Sequence, residues 1–395
     1  MAVQTRIRRG YKFKKMQQHN TAQPWIKNRL ADSIFILSPP FLALLVVALF
    51  PVQFKNSEAM PVEYWVILIV MIDVAHVYST LYRTYFNPDE FKKRHPLLIA
   101  IPICCYIAGV ILYTCDGLIF WRALAYLAVF HFVRQQYGFM RIYSRKENQS
   151  RLFRYVDTVA IYIATIYPLL HWHFTGIHKN FNWFVDGDFV LGRSVIILTI
   201  SGIVYVLVIA AYLMKELFVI ITTKTFNLPK NLVVAGTFLS WYFGIIYYNG
   251  DMAFTTLNVV SHGIPYMALI YIYEQKKFAG TNEKKTALLR LTFNRYSGVL
   301  IFVALLILFA YTEEGLWDGL VWKEHTSVFK PFAMLPSIST NLLLALAVPF
   351  LSLPQSTHYV LDGFMDQVKN LGGLNNLGID ISKSKKEEIN ISHSA

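Results

Sequence analysis

Charge is scarce in this sequence: Asp, Glu, Lys and Arg together make up 15% of 395 residues, while 55% are hydrophobic. A water-soluble chain carries roughly 25% charged residues, so the composition excludes an ordinary solvated surface around one core. Cysteine is scarcer still. Cys104, Cys105 and Cys115 all fall in one apolar stretch without metal-type spacing. That pattern excludes a disulfide framework or a thiolate metal site and leaves the three as helix-packing residues. No apolar core or small-residue cleavage site follows the basic opening MAVQTRIRRGYKFKKMQQHN, so a cleaved signal peptide is not expected. Internal repeats and polar stretches long enough to fold alone are also missing.

What is present is apolar residues in blocks of about 20, the length a helix needs to cross the hydrocarbon core of a bilayer. The blocks run 31 to 51, 63 to 83, 97 to 115, 118 to 140, 154 to 174, 194 to 214, 231 to 249, 252 to 273, 297 to 311 and 334 to 361. They predict an all-α, polytopic membrane bundle of about ten transmembrane helices. In domain terms the chain reads as a basic segment 1–30, a single helical domain 31–366 and a polar, mobile tail 367–395. The connections alternate in charge. Those with Arg83, Lys92, Lys93 and Arg94, with Arg141, Arg145, Lys146, Arg151 and Arg154, and over 215 to 230 and 274 to 296 are basic, whereas those near Glu63, Asp116, Asp186, Asp251 and Glu313 are acidic or mixed. Basic loops collect in the cytoplasm, so both termini are placed there. The net charge of +13 is explained by those loops, without nucleic acid as a partner.

Polar residues at membrane depth are the informative exceptions. An ionisable group at a helix centre costs about 3 kcal/mol on insertion scales, so it usually faces a protein interior and has a function. The stretch AYLAVFHFVRQQYGFMRIY, residues 125 to 143, places His131, Arg134, Gln135 and Gln136 inside a predicted span. His76, His262 and His358 lie in three further spans, all running from outside to inside, and all four can share a layer in the middle to cytoplasmic half. Each has a polar companion one turn away: Asp73, Gln135, Asn258, and Gln355 with Asp362. A metal-bound imidazole presents its second nitrogen as a donor, which such a companion would orient. A single intramembrane histidine is often a packing residue, but four with companions point to a shared metal or haem site. Asp73 and Asp362 would then offset the charge of a divalent ion. Arg134 is left unassigned, Gln136 is expected at a helix contact, and His171, His173 and His178 read as interfacial belt residues.

Imidazole suits iron, copper and zinc alike, so the ligands alone do not choose the metal. Burial among apolar helices favours substrates that dissolve in lipid, including dioxygen, and makes non-haem iron with open positions the first expectation. Tyr137 or Tyr359 could donate a hydrogen bond to bound oxygen. On His76, His131, His262 and His358 the chain resembles the bacterial integral-membrane β-carotene 15,15′-dioxygenases, and SHGIPYMAL is similar to their His-Gly step. The resemblance covers architecture rather than aligned sequence. It implies one iron held by histidines from separate helices, oxidative cleavage or modification of an isoprenoid, lipid or hydrocarbon, an electron donor as a further partner, and a bacterial cytoplasmic membrane. The boxes HxxxH and HxxHH of membrane di-iron desaturases do not occur. A haem-binding electron carrier, an ion-coupled transporter using Asp73, His131 and Arg134, and an acyltransferase using His262 and Asn258 remain as alternatives.

Overall fold

A computed structural model describes residues 23–56, 60–175, 183–280, 286–294 and 296–365. Among the described residues every extended element is a helix, with no strand beyond an isolated bridge between Thr175 and Arg193. The helices are α1 (Arg29–Leu37), α2 (Pro39–Leu49), α3 (Pro51–Asn56), α4 (Val62–Arg83), α5 (Pro88–Cys115), α6 (Gly117–Tyr143), α7 (Arg151–Phe174), α8 (Val195–Thr223), α9 (Leu228–Trp241), α10 (Asp251–Gly280), α11 (Ala287–Thr292), α12 (Gly298–Trp322), α13 (Asn341–Leu351) and α14 (Leu353–Met365). Polar caps set many of the starts. The side chains of Asn87, Asp116, Ser150, Ser194 and Asn227 accept backbone N–H bonds at the heads of α5 to α9.

Five helices, α4, α5, α6, α8 and α12, are long and apolar enough to cross a membrane. The pair α1 and α2, bent by 49°, would make a sixth. These helices suggest an integral membrane protein, and their outward faces agree with that. On α5, Ile99, Ile103, Ile107 and Ile111 form an exposed i, i+4 stripe, and α8 exposes apolar side chains along most of its length. Solvent would not tolerate patches of this extent, whereas lipid does.

Helices also stand at the other predicted spans, but they are less apolar, for a physical reason. The 30-residue helix α10 packs against α1, α2, α4 and α9, and its face holds buried Thr255, Thr256, Asn258, Ser261, His262 and Glu274. A helix enclosed by other helices meets little lipid and can carry polar groups that find protein partners. Two expectations need correction. The stretch 334 to 361 is not one continuous helix: residues 334–340 are non-helical, and helix then breaks at Ser352 between α13 and α14. Cys104 and Cys115 are exposed on α5, so only half-buried Cys105 packs against protein. The segment 1–22 and the tail after 365 lie outside the described residues.

Close approach of α4 to α10 is what brings the histidine-bearing helices together. A Cβ on Gly263 would meet Ile72 Cγ2 at 2.8 Å and the Ile72 carbonyl oxygen at 3.1 Å, so only glycine permits the contact. On the α4 side, residues Val66–Val74 wind as a π-helix before ordinary α-helix resumes at Ala75. A π segment shifts the helical phase of the residues beyond it, and His76 is the second residue after the switch.

Candidate metal centre

The four histidines of the predicted spans converge. His76 on α4, His131 on α6, His262 on α10 and His358 on α14 are all buried, at most 3% exposed, and each offers a ring nitrogen such that all four atoms lie within 4.8 Å of one another. Donors around a single ion with bonds of about 2.1 Å stand roughly 3.0 to 4.2 Å apart, so small shifts of the rings would place them on one ion. His76 Nε2 and His262 Nε2 are already 3.1 Å apart. His76 Nδ1, His131 Nε2, His262 Nδ1 and His358 Nε2 have no hydrogen-bond partner. Buried polar atoms are rarely left unpaired, and each of the four rings carries one such nitrogen. The cage could hold a metal ion.

The packing of the rings favours a bare ion over a haem. His76 and His131 stand nearly parallel with centroids 6.4 Å apart, the arrangement of two axial ligands, but His262 and His358 lie 4.4 to 5.0 Å from both. Those two imidazoles fill the plane that a porphyrin would occupy.

One turn beyond the cage, in the chain direction, lies a second polar layer. His358 Nδ1 is 2.7 Å from Thr80 Oγ1, Thr80 Oγ1 is 3.0 Å from the Tyr266 hydroxyl, and that hydroxyl donates to Asp362 Oδ1 at 2.7 Å. With an ionised Asp362, which only accepts, the order of donors is fixed: Tyr266 gives its proton to Asp362, Thr80 to Tyr266, and His358 Nδ1–H to Thr80. His358 then turns the lone pair of Nε2 into the cage. Asp362 Oδ2 also stands 3.9 Å from the Nδ1 atoms of both His131 and His358.

The predicted companions divide. Asp362 takes part in this layer, and Asp73 Oδ1 stands 3.7 Å from His76 Nδ1, beyond hydrogen-bond reach but facing it. Gln135 does not orient His131, as expected from its i+4 spacing; its amide donates to the His262 backbone carbonyl at 2.9 Å. Asn258 likewise donates to the Phe254 carbonyl at 3.2 Å rather than to His262. Both amides meet backbone carbonyls before they reach an imidazole. Of the two tyrosines, Tyr359 packs beside His131 with centroids 5.1 Å apart. Tyr137 lies elsewhere, 5.5 Å from the Tyr162 ring and 5.2 Å from the Arg134 guanidinium, because six residues after His131 the helix has turned away from the cage. Arg134 donates to the Tyr162 hydroxyl at 2.8 Å. Gln136 bridges helices as expected, to Ser261 and Thr237.

Thr80 and Tyr266 were missed by sequence reasoning, although the signal existed. The four residues at i+4 from the histidines are Thr80, Gln135, Tyr266 and Asp362, and hydroxyl groups at that spacing serve as well as carboxylates. Phe132 closes another side of the cage, stacked on His262 with centroids 3.6 Å apart and planes 8° off parallel. Trp183 holds Phe132 edge-on at 4.9 Å, and its loop is tied by Asp188, which accepts the backbone N–H groups of Trp183, Phe184 and Val185. Burial pushes the Asp188 carboxyl above the usual carboxylate range, against the pull of those three bonds.

His173 bonds to Tyr126 and the Leu169 carbonyl, outside the cage, and His178 lies outside the described residues. The chain matches no known family, no curated protein and no solved structure.

Proposed function

We propose that this protein is a membrane-embedded metalloenzyme whose four imidazoles hold one transition-metal ion, iron first among the candidates, and that it oxidises a lipid-soluble substrate with dioxygen. The observation that carries the metal reading is the convergence of His76, His131, His262 and His358, each from a different helix, with an unpartnered nitrogen on every ring. Neutral nitrogen ligands suit Fe²⁺, Cu²⁺ and Zn²⁺. The oxidative part rests on the surroundings: the cage is buried in a bundle whose outer faces are apolar, where dioxygen and isoprenoid or hydrocarbon chains partition and water is scarce. A bound ion would polarise dioxygen. In this reading Tyr359, whose ring packs beside His131, would donate a hydrogen bond to it.

In this reading the bundle has ten spans with both termini in the cytoplasm, which the alternation of basic and acidic connections supports. Placement in a bacterial cytoplasmic membrane, and an electron donor as partner, rest on the resemblance to the carotene dioxygenases.

Metal analysis of the purified full chain, together with its visible spectrum, tests the proposal. About one iron per chain without a Soret band is expected. The variant His131→Ala should lose the metal, whereas His95→Ala, whose ring bonds to the Lys92 carbonyl, should keep it. Equal metal content in the two variants would remove His131 from the site, and a chain that binds no transition metal would end the reading.

A further inference from the structure

Arg134 sits well inside α6, three residues after His131, and takes no part in the cage. Its guanidinium donates through Nη1 to the Tyr162 hydroxyl at 2.8 Å and lies 5.2 Å from the centre of the Tyr137 ring. Among the described residues no carboxylate pairs with it, and its other N–H groups find no acceptor there. The acids of α7 and of the loop before it are engaged elsewhere: Asp157 bonds to Lys215, and Glu147 pairs with Lys230. Arginine keeps its charge in a protein, so a cation stands at membrane depth without an anion.

The surroundings are shaped for a ligand from the bilayer. Tyr126, Phe130, Arg134 and Gly138 follow one another at i+4 along α6, and the first two expose their rings, so Arg134 and Gly138 lie on the face turned to lipid. Arg134 itself is only partly covered. Beside Gly138 there is open space: a Cβ added there would meet no atom within 4 Å. Arg141 follows three residues later, about 4.5 Å further along the axis, and it too has no acidic partner among the described residues. The gap at Gly138 therefore lies between two arginine positions on one helix face, close to the end of the span that Arg141, Arg145 and Lys146 mark. The Tyr162 hydroxyl, which accepts from Arg134, still has its own proton to give.

We propose that α6 and α7 bind an anionic phospholipid of the leaflet that meets the trailing end of α6, with its phosphate seated over Gly138 between Arg134 and Arg141. Arginine presents its N–H groups in a planar fork that matches phosphate oxygens, and basic pockets between membrane helices hold anionic headgroups. Charge decides the occupant. A zwitterionic lipid brings its own ammonium to a place that already holds two cations, whereas an anionic lipid neutralises them in a medium of low dielectric. The acyl chains would lie along Phe130 and Tyr126, and the headgroup would join α6, which carries His131, to Tyr162 on α7. The metal is not involved.

Native mass spectrometry of the full chain, stripped of lipid in detergent and then given phosphatidylglycerol or phosphatidylcholine, tests this. The wild type should retain a single phosphatidylglycerol under conditions that remove phosphatidylcholine. Arg134→Gln should bind it about tenfold more weakly, the scale of one lost hydrogen bond to a charged group. Gly138→Leu, which fills the gap without changing charge, should lose the lipid while melting no lower than the lipid-free wild type. Arg122→Gln, which loses a bond to the Gly187 carbonyl nearer the other end of α6, should bind as the wild type does. Equal retention of the two lipids by the wild type would overturn the site, and so would wild-type affinity in Arg134→Gln. Where Arg134→Gln does not fold, wild-type affinity in Gly138→Leu overturns it equally. Displacement of the lipid by inorganic phosphate would make this a site for a small anion and overturn the lipid assignment.

Discussion

Tyr266 is the residue on which the geometry of His358 depends most. Its hydroxyl receives from Thr80 and donates to Asp362, so it carries the direction of the whole hydrogen-bonded chain, and its ring lies 5.2 Å from His358 and 5.9 Å from His76. Tyr266→Phe keeps the ring and its packing but removes the link, and His358 Nδ1–H loses the oriented acceptor that fixes its tautomer. Metal affinity in a chelator competition should fall by about 10- to 100-fold, the usual cost of losing such a supporting bond. Tyr85→Phe, which loses only a bond to the Leu98 carbonyl, should leave the affinity unchanged. The histidines themselves were legible in the sequence because ionisable groups are rare at membrane depth. Their supports were less so: Thr and Tyr are common in membrane helices and carry no such signal, while Gln135 and Asn258, which looked like supports, are satisfied by backbone carbonyls that no spacing rule reveals.

At the scale of the helix, α8 shows how an element that meets mostly lipid is held in place. Its buried residues are few, Tyr205, Tyr212, Lys215 and Glu216, and the last two enter a charged cluster between α7, α8 and α9. Lys215 Nζ bonds to Asp157 Oδ1 at 2.5 Å and pairs with Glu216, while Lys230 Nζ lies 2.6 Å from Glu216 and 2.9 Å from Glu147. Apolar contact gives little net attraction between helices when lipid tails are just as apolar, so polar pairing has to locate α8. Lys215→Met takes from Asp157, with no exposed surface, the cation that hydrogen-bonds to it and leaves only Lys230 Nζ, 3.8 Å from Oδ2. The expected loss is about 3 to 5 kcal/mol, read as a lower unfolding midpoint in detergent, with Asp157→Leu in the same chain recovering part of it. Metal content per folded molecule should not change, because the cluster does not touch the cage. The helix positions could be read from apolar runs, whereas the π segment before His76 and the break at Ser352 could not, because both depend on packing between distant parts of the chain.

For the molecule as a whole, the cage constrains the path of the chain. Thr80, Tyr266 and Asp362 each follow their histidine by one turn and meet in a single layer, which requires α4, α10 and α14 to pass the cage in the same direction. Helices α4 and α6 are joined through one helix, α5, and α6 and α10 through three, so α6 shares that direction if each of these crosses the bilayer once. The leading ends of the histidine-bearing helices α4 and α10 then fall on the side of Glu63 and Asp251, and the trailing ends of α4, α6 and α10 on the side of Arg83, Arg145 and Lys276, the basic side, which the proposed orientation assigns to the cytoplasm. Single cysteines placed in a background with Cys104, Cys105 and Cys115 changed to alanine test this directly. Glu63→Cys and Asn148→Cys both replace exposed residues. A membrane-impermeant maleimide should label the first in intact cells and the second only after permeabilisation. Labelling of both in intact cells would break the odd number of crossings between them. The opposite pattern would keep the cage and its parity but invert the protein.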